Sequence, residues 1–412
     1  MMQQEGSPRL PLTILGSACL LGFAMFAPLF CVPPMEHILK AELHLTHVQT
    51  SLLFTAPILM LAAVAIPAGL ITDRIGVRKA AGIGAIIIAV GTILRGTATN
   101  SSSLLAFTFL YGVGLGWSFP NLPKLVSAWV PREKAGVATG IFTLGILIGG
   151  SLALAITMPV VFPITNTFQG VFFIWGIPPA IAAILWWILV KEFPDNRMHD
   201  ELVTRAITPF RQILRSKNLW LVSIFLLLHN FFFYAWAGWA PTLVRLKGAT
   251  PDLAGLITSM TLWVGIPTVL LMPRLAYKLG LRKPFLWATS ITLALAAWGA
   301  IHISLPMSWP LMILIGVANT TVYVTILALP VEMMPRQDVG TASGLVLSIG
   351  YIGGVIGALI GGCILDLTGS LDLSLLVLTG VSIVAAGIAF RLPETGPKAR
   401  LYPPSGLSVH LP

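Results

Sequence analysis

Charge is scarce in this sequence. Lys, Arg, Asp and Glu make up 10% of its 412 residues, against roughly a quarter in a soluble globular chain. A chain so poor in charge cannot face water on all sides. Its three cysteines, Cys19, Cys31 and Cys363, lie in or beside apolar runs and have the spacing of neither a disulfide framework nor a zinc site. They read as small apolar residues. A nucleotide-binding loop, a cluster of metal ligands and a nucleophile–base arrangement are all missing, and the polar loops are too short to hold a catalytic domain. These absences argue against an enzyme and against ATP-driven pumping within this chain, and no cofactor or metal is expected. The N-terminus also lacks the basic, apolar and small-residue order of a cleaved leader, so the first apolar run is expected to be retained.

Apolar sequence fills the space that charge leaves. Hydrophobic residues make up 56% of the chain and the mean hydropathy is +0.89. The apolar runs are continuous rather than alternating, and many approach the roughly 20 residues that cross a bilayer as a helix. In hydrocarbon every backbone polar group must be satisfied internally, and continuous runs meet that demand as helices. Spans are predicted near 10–32, 49–71, 77–98, 103–129, 136–158, 169–190, 218–243, 252–275, 284–304, 308–331, 340–364 and 371–391. The fold class is an all-α membrane protein of twelve transmembrane helices. The longest polar stretch divides it into an N-terminal six-helix bundle (1–191), a central loop (192–217) and a C-terminal six-helix bundle with its tail (218–412).

The formal net charge of +10 would suggest a nucleic-acid partner in a soluble protein, but its placement argues otherwise. Twenty of the 25 Lys and Arg residues fall on the termini and one set of alternating loops. That lopsidedness follows the positive-inside rule. It predicts cytoplasmic termini, a multi-pass protein of the plasma (inner) membrane, and the lipid bilayer rather than nucleic acid as partner.

The halves repeat one another at an offset of 204 residues. Gly76, Arg78 and Lys79 fall on Gly280, Arg282 and Lys283; Val130-Pro131-Arg132 falls on Met334-Pro335-Arg336; Gly149 and Gly150 fall on Gly353 and Gly354. One offset held across three separated helix junctions marks a duplicated six-helix unit. Parallel repeats of this kind build transporters whose binding site lies between the halves near the membrane midplane.

The segment Gly69-Leu70-Ile71-Thr72-Asp73-Arg74-Ile75-Gly76-Val77-Arg78-Lys79 resembles the signature loop of the major facilitator superfamily, departing from it at Val77, where a basic residue is usual. Gly69 and Gly76 permit close helix approach and a tight turn. Asp73, with Arg74 and Arg78 nearby, is placed to pair with basic groups or a helix N-terminus across the interface. These five residues form the candidate gating set. Within the superfamily, Leu94-Arg95-Gly96, Leu122-Pro123-Lys124, and Tyr234 through Trp239 to Pro241 resemble the cyanate-permease and nitroimidazole-transporter branch. The resemblance implies alternating access and a small, often anionic solute, by uniport, exchange or proton-coupled symport.

Ionisable residues inside a membrane are functional candidates by default. Arg95, about 17 residues into the third span, is either an interhelical anchor or an anion-attracting site at the mouth away from the basic loops. Trp117, Asn121 and Lys124 share one face of the fourth span. Lys124 there either attracts an anion or snorkels to the surface. In the seventh span, His229 is a candidate for proton coupling or a neutral hydrogen-bonding group, with Asn230 and Tyr234 beside it. In the tenth, Asn319 and Tyr323 stack at i, i+4 and suit a small hydrogen-bonding solute. The middles of the first, fourth, seventh and tenth spans carry no carboxylate, which favours an anionic or neutral solute. An exporter of small neutral or aromatic compounds, or a non-transporting receptor on the same fold, is the alternative.

Overall fold

The computed structural model describes residues 12–129, 135–191, 213–334 and 339–396. Among them twelve segments are long and apolar enough to cross a membrane, one for each predicted span. The protein is a multi-pass membrane protein.

In the first half, α1 (Leu12–Phe30) passes through a turn at Pro33–Met35 into α2 (Glu36–Leu43), followed by α3 (His47–Ile75), α4 (Val77–Arg95), α5 (Ser101–Ser118), α6 (Asn121–Trp129), α7 (Ala135–Ile156), the short α8 (Phe162–Thr165) and α9 (Phe168–Leu189). The second half holds α10 (Lys217–Leu246), α11 (Pro251–Trp263), α12 (Gly265–Leu279), α13 (Lys283–His302), α14 (Ser308–Met333), α15 (Val339–Thr368) and α16 (Asp372–Ala389). Helix starts are written locally. Thr46 with Gln49, and Asn100 with Ser103, form reciprocal capping boxes, and Thr167, Ser216 and Thr250 cap α9, α10 and α11. The fourth span breaks at Phe119–Pro120 between α5 and α6, where proline has no N–H to continue the ladder.

The sequence repeat becomes a repeat of contacts. A methyl group on Gly149 would lie 2.6 Å from the Phe23 carbonyl oxygen, and one on Gly353 would strike the Leu227 carbonyl. Glycine and partner are each displaced by the same 204 residues. The turns after α3 and α12 repeat as well: Gly76 and Gly280 take φ of 88° and 69°, a region open to glycine at little cost. Pro131 and Pro335, with their flanking arginines, lie outside the described residues.

Helices α4, α9, α13 and α16 stand at the periphery and turn Val90, Ile184, Leu295, Trp298 and Ile383 outward. So much exposed apolar surface is the face that lipid covers. The glycines of α7 and α15 pack largely within their own halves, against α1 and α10. Close contact across the halves also occurs: a methyl on Gly362 of α15 would meet the His47 carbonyl at 2.8 Å, and one on Gly255 of α11 would meet that of Leu154 in α7 at 2.5 Å.

Candidate functional site

Between the halves lies a cavity of about 250 Å³. The first half contributes an apolar wall of Phe26, Phe30, Phe119, Pro123 and Phe142, broken by Thr139 and Thr143. The second contributes most of the hydrogen-bonding groups: His229, Asn230 and Tyr234 from α10, Asn319, Thr320 and Tyr323 from α14, and Tyr351 from α15. Among the described residues, the lining holds no Lys, Arg, Asp or Glu.

Three polar atoms on this wall are buried without a protein partner: His229 Nε2, Asn230 Nδ2 and Asn319 Oδ1. An unsatisfied buried polar atom costs about 1–3 kcal/mol. Three gathered at one cavity form a set that a solute or water must complete. Close packing holds them there. A methyl on Gly350 would come within 3.3 Å of Asn230 Nδ2, and one on Gly265 within 2.9 Å of Thr320 Oγ1. The Tyr323 and Tyr351 hydroxyls stand 3.5 Å apart.

Aromatic rings close the cavity across the interface. Phe119 meets Tyr351 edge-on at 6.5 Å, Phe54 meets Tyr234 at 6.1 Å, and Phe30 meets Phe233 at 6.5 Å. Such tilted pairs exploit the ring quadrupole. Their π faces and edges suit a flat guest.

Of the residues singled out in the sequence, the structure brings together His229, Asn230, Tyr234, Asn319 and Tyr323. It holds four others away from the cavity lining. The break at Phe119–Pro120 separates Trp117 on α5 from Asn121 and Lys124 on α6, and it is Phe119 and Pro123 that line the cavity. Asn121 donates to the Trp117 carbonyl at 2.7 Å, and Lys124 Nζ lies 3.4 Å from the Gly69 carbonyl oxygen. Arg95 is buried within the first half. Its Nη1 donates to the Pro28 carbonyl at 2.9 Å, and its guanidinium sits 4.1 Å from the Phe172 ring centre and 5.4 Å from that of Tyr111. Those contacts are the ones an interhelical anchor makes. In α10, Phe233 lines the cavity while Trp236 stacks on Phe232 at 6.0 Å.

The candidate gating set is partly visible. Arg78 donates to the Trp187 carbonyl at 2.9 Å and lies over that indole, tying α4 to α9. Arg74 is exposed in the last turn of α3, Gly69 sits in that helix with open space beside it, and Gly76 makes the turn. The Asp73 side chain lies outside the described residues. Tyr351 and the threonines of α7 escaped the sequence reading, because tyrosine and threonine in apolar runs look like ordinary packing. Among the described residues, His, Cys, Asp and Glu form no group of three that could hold a metal ion.

The Major Facilitator Superfamily model matches residues 14–358 and, in a second overlapping match, 243–407. A probable sulfoacetate transporter of Cupriavidus necator is 25% identical over 90% of this chain and 92% of its own length. The 2-nitroimidazole transporter of Escherichia coli is 23% identical over 86% of this chain and 88% of its own. The crystal structure of a D-xylose–proton symporter superposes with a TM-score of 0.78 at 16% identity, covering 94% of this chain and 99% of that one, a likeness of fold.

Proposed function

The chain belongs to the Major Facilitator Superfamily, and from that premise we propose that it carries a small organic solute bearing a planar pair of oxygens, a carboxylate or its neutral counterpart, a nitro group. The observation that carries this reading is the set of unpartnered atoms at the cavity. Asn230 Nδ2 donates, His229 Nε2 donates in the tautomer protonated there, and Asn319 Oδ1 accepts. Two donors match two coplanar oxygens, and the acceptor suits a neighbouring hydroxyl or ring N–H. The aromatic walls favour a flat body behind that edge, and about 250 Å³ falls just below the usual range of small-ligand pockets. The sulfoacetate and 2-nitroimidazole relatives support the class, since one solute carries a carboxylate and the other a nitro group.

The two halves move about this cavity by alternating access. We place the protein in the plasma membrane with the basic loops and both termini in the cytoplasm, on the charge asymmetry. The end that carries Glu36 and His47 then faces outward, and hydrogen bonds between the halves close it here. Lack of a fixed positive charge on the described lining favours a second reading, export of neutral aromatic compounds through the same site.

The test is a thermal-shift series on the purified protein, in which a ligand of the folded state raises the melting temperature. Hydroxybenzoates or 2-nitroimidazole are expected to stabilise the wild type. Asn230→Ala and Asn319→Ala should each weaken that binding by about 3–10-fold, the worth of one hydrogen bond. Stabilisation by neutral aromatic compounds that lack such an oxygen pair, and by neither carboxylates nor nitroimidazole, selects the second reading. Stabilisation only by inorganic anions, lost in Lys124→Gln and kept in Asn230→Ala, would refute both.

A further inference from the structure

At the end of the bundle opposite the 69–79 loop, four ionisable side chains and a threonine join the halves. Glu36, in the first turn of α2, is buried at 6% exposure. Its Oε1 lies 2.8 Å from Nδ1 of His47 on α3. Its Oε2 accepts from Thr242 Oγ1 at 3.4 Å and faces Arg245 Nη1 at 3.7 Å, both on α10 of the other half. Lys40 Nζ stands 2.5 Å from His47 Nε2. The tautomer that satisfies both contacts has its proton on Nδ1, donating to Glu36, and accepts from the ammonium at Nε2. A second carboxylate crosses the other way. Asp366 of α15 accepts from the backbone N–H groups of His47 and Val48 at 2.9 and 3.0 Å, where the helix dipole favours negative charge. Glu36 also borders a void of about 10 Å³ between the halves, shared with Thr50, Ser51 and Trp239. That is close to the room one water needs.

We propose that Glu36 is a proton-binding latch, so that proton uptake from the outer side at its carboxylate releases Arg245 and Thr242 and opens that end of the transporter. The proposal rests on alternating access and not on the identity of the solute. The chemistry lies in the partners. An ionised Glu36 is attracted to Arg245 and accepts from His47 and Thr242. Protonated, it loses the charge that attracts Arg245 and adds an O–H where three donors already converge. The charged and titratable groups facing it are His47 from α3 and Arg245 from α10, with Lys40 and His37 on its own segment; His37 lies near enough to Arg245 to feel its charge. Protonating His47 at Nε2 would set a second proton against Lys40, so acidification strains both ends of the chain. Asp366 engages backbone N–H groups of α3 and stands apart from this exchange. The closed state binds fewer protons than the open one, so falling external pH moves the balance toward opening.

The test is a spin-label distance measurement on the full chain, with Cys19, Cys31 and Cys363 replaced by alanine and labels at Ala41→Cys and Leu246→Cys, both exposed at that end. Between about pH 8 and about pH 4, a span that passes through ordinary His and Glu titration, the wild-type long-to-short ratio should rise about threefold or more. Glu36→Gln should hold the longer distance at both pH values. Arg245→Gln removes the partner from the other half and should do the same, which covers a Gln variant that folds poorly. Asp366→Asn should keep the pH response. A wild type with no pH response, or a Glu36→Gln protein that still follows pH as wild type does, overturns the proposal. A second label pair, Arg74→Cys with Tyr277→Cys at the opposite end, tests the premise separately. Opening at the Glu36 end without closing there would sustain the latch and refute alternating access.

Discussion

Replacing Gly149 by alanine puts the interface of α1 and α7 to a quantitative test. The added methyl would stand 2.6 Å from the Phe23 carbonyl oxygen, 2.9 Å from its Cα and 3.1 Å from its carbonyl carbon. All three are backbone atoms, so no rotamer change relieves the clash. Ordinary contact begins at 3.4 Å, so the helices must part by about 0.8 Å. A gap of 0.5–1 Å forfeits about a quarter to a half of the dispersion well, and overpacking of this kind costs about 1–3 kcal/mol. Alanine recovers about 0.5–1 kcal/mol through its helix propensity, which leaves a net loss centred at about 1.3 kcal/mol. At roughly 2–4 °C per kcal/mol for a large domain, the melting temperature should fall by about 3–5 °C, read by tryptophan fluorescence in detergent. Gly140 lies on the same helix, and there the nearest atom to an added methyl is Leu270 Cδ2 at an ordinary 3.9 Å. Gly140→Ala should therefore leave the melting temperature unchanged or raise it slightly. If Gly149→Ala melts with the wild type, or Gly140→Ala falls as far, close approach of backbones is not what holds α1 to α7.

Two further substitutions separate structure from solute recognition. Arg95→Met removes a charge-assisted hydrogen bond worth about 1.5–3 kcal/mol and should lower thermal stability while leaving solute affinity intact; a selective loss of affinity would return Arg95 to the transport path. Glu394 accepts from the first backbone N–H groups of α13, at Arg282 and Lys283, beside the Arg282–Glu332 ion pair at 2.9 Å. Glu394→Ala should cost about 0.5–2 kcal/mol as a lost helix cap, and should speed amide hydrogen exchange at the start of α13 before it does so elsewhere.

Much of the candidate site was legible in the sequence, and the part that was not has a physical cause. His229, Asn230, Asn319 and Tyr323 stood out because polar groups are rare at that depth, and the cavity gathers them. The fourth span misled because helical spacing identifies a face and not its direction. Trp117, Asn121 and Lys124 share a face by spacing, yet the span breaks between them and Phe119 and Pro123 take the cavity. Arg95 attracted notice as a buried charge, but a charge can be satisfied by a carbonyl and two aromatic rings as well as by a solute. Glu36 and His47 fall between the first two predicted spans, where a polar residue carries no signal of burial.

The number of spans and the division into halves follow from the sequence by itself, because lipid compels each long apolar run to satisfy its own backbone hydrogen bonds within one helix, and a duplicated unit carries its residues at one offset. The cavity wall and the latch required tertiary structure. Glu36 meets Arg245 more than two hundred residues along the chain, and Asp366 meets the start of α3 across a still longer interval. Neither pair obeys the 204-residue repeat, so only the docking of one half on the other brings them within reach.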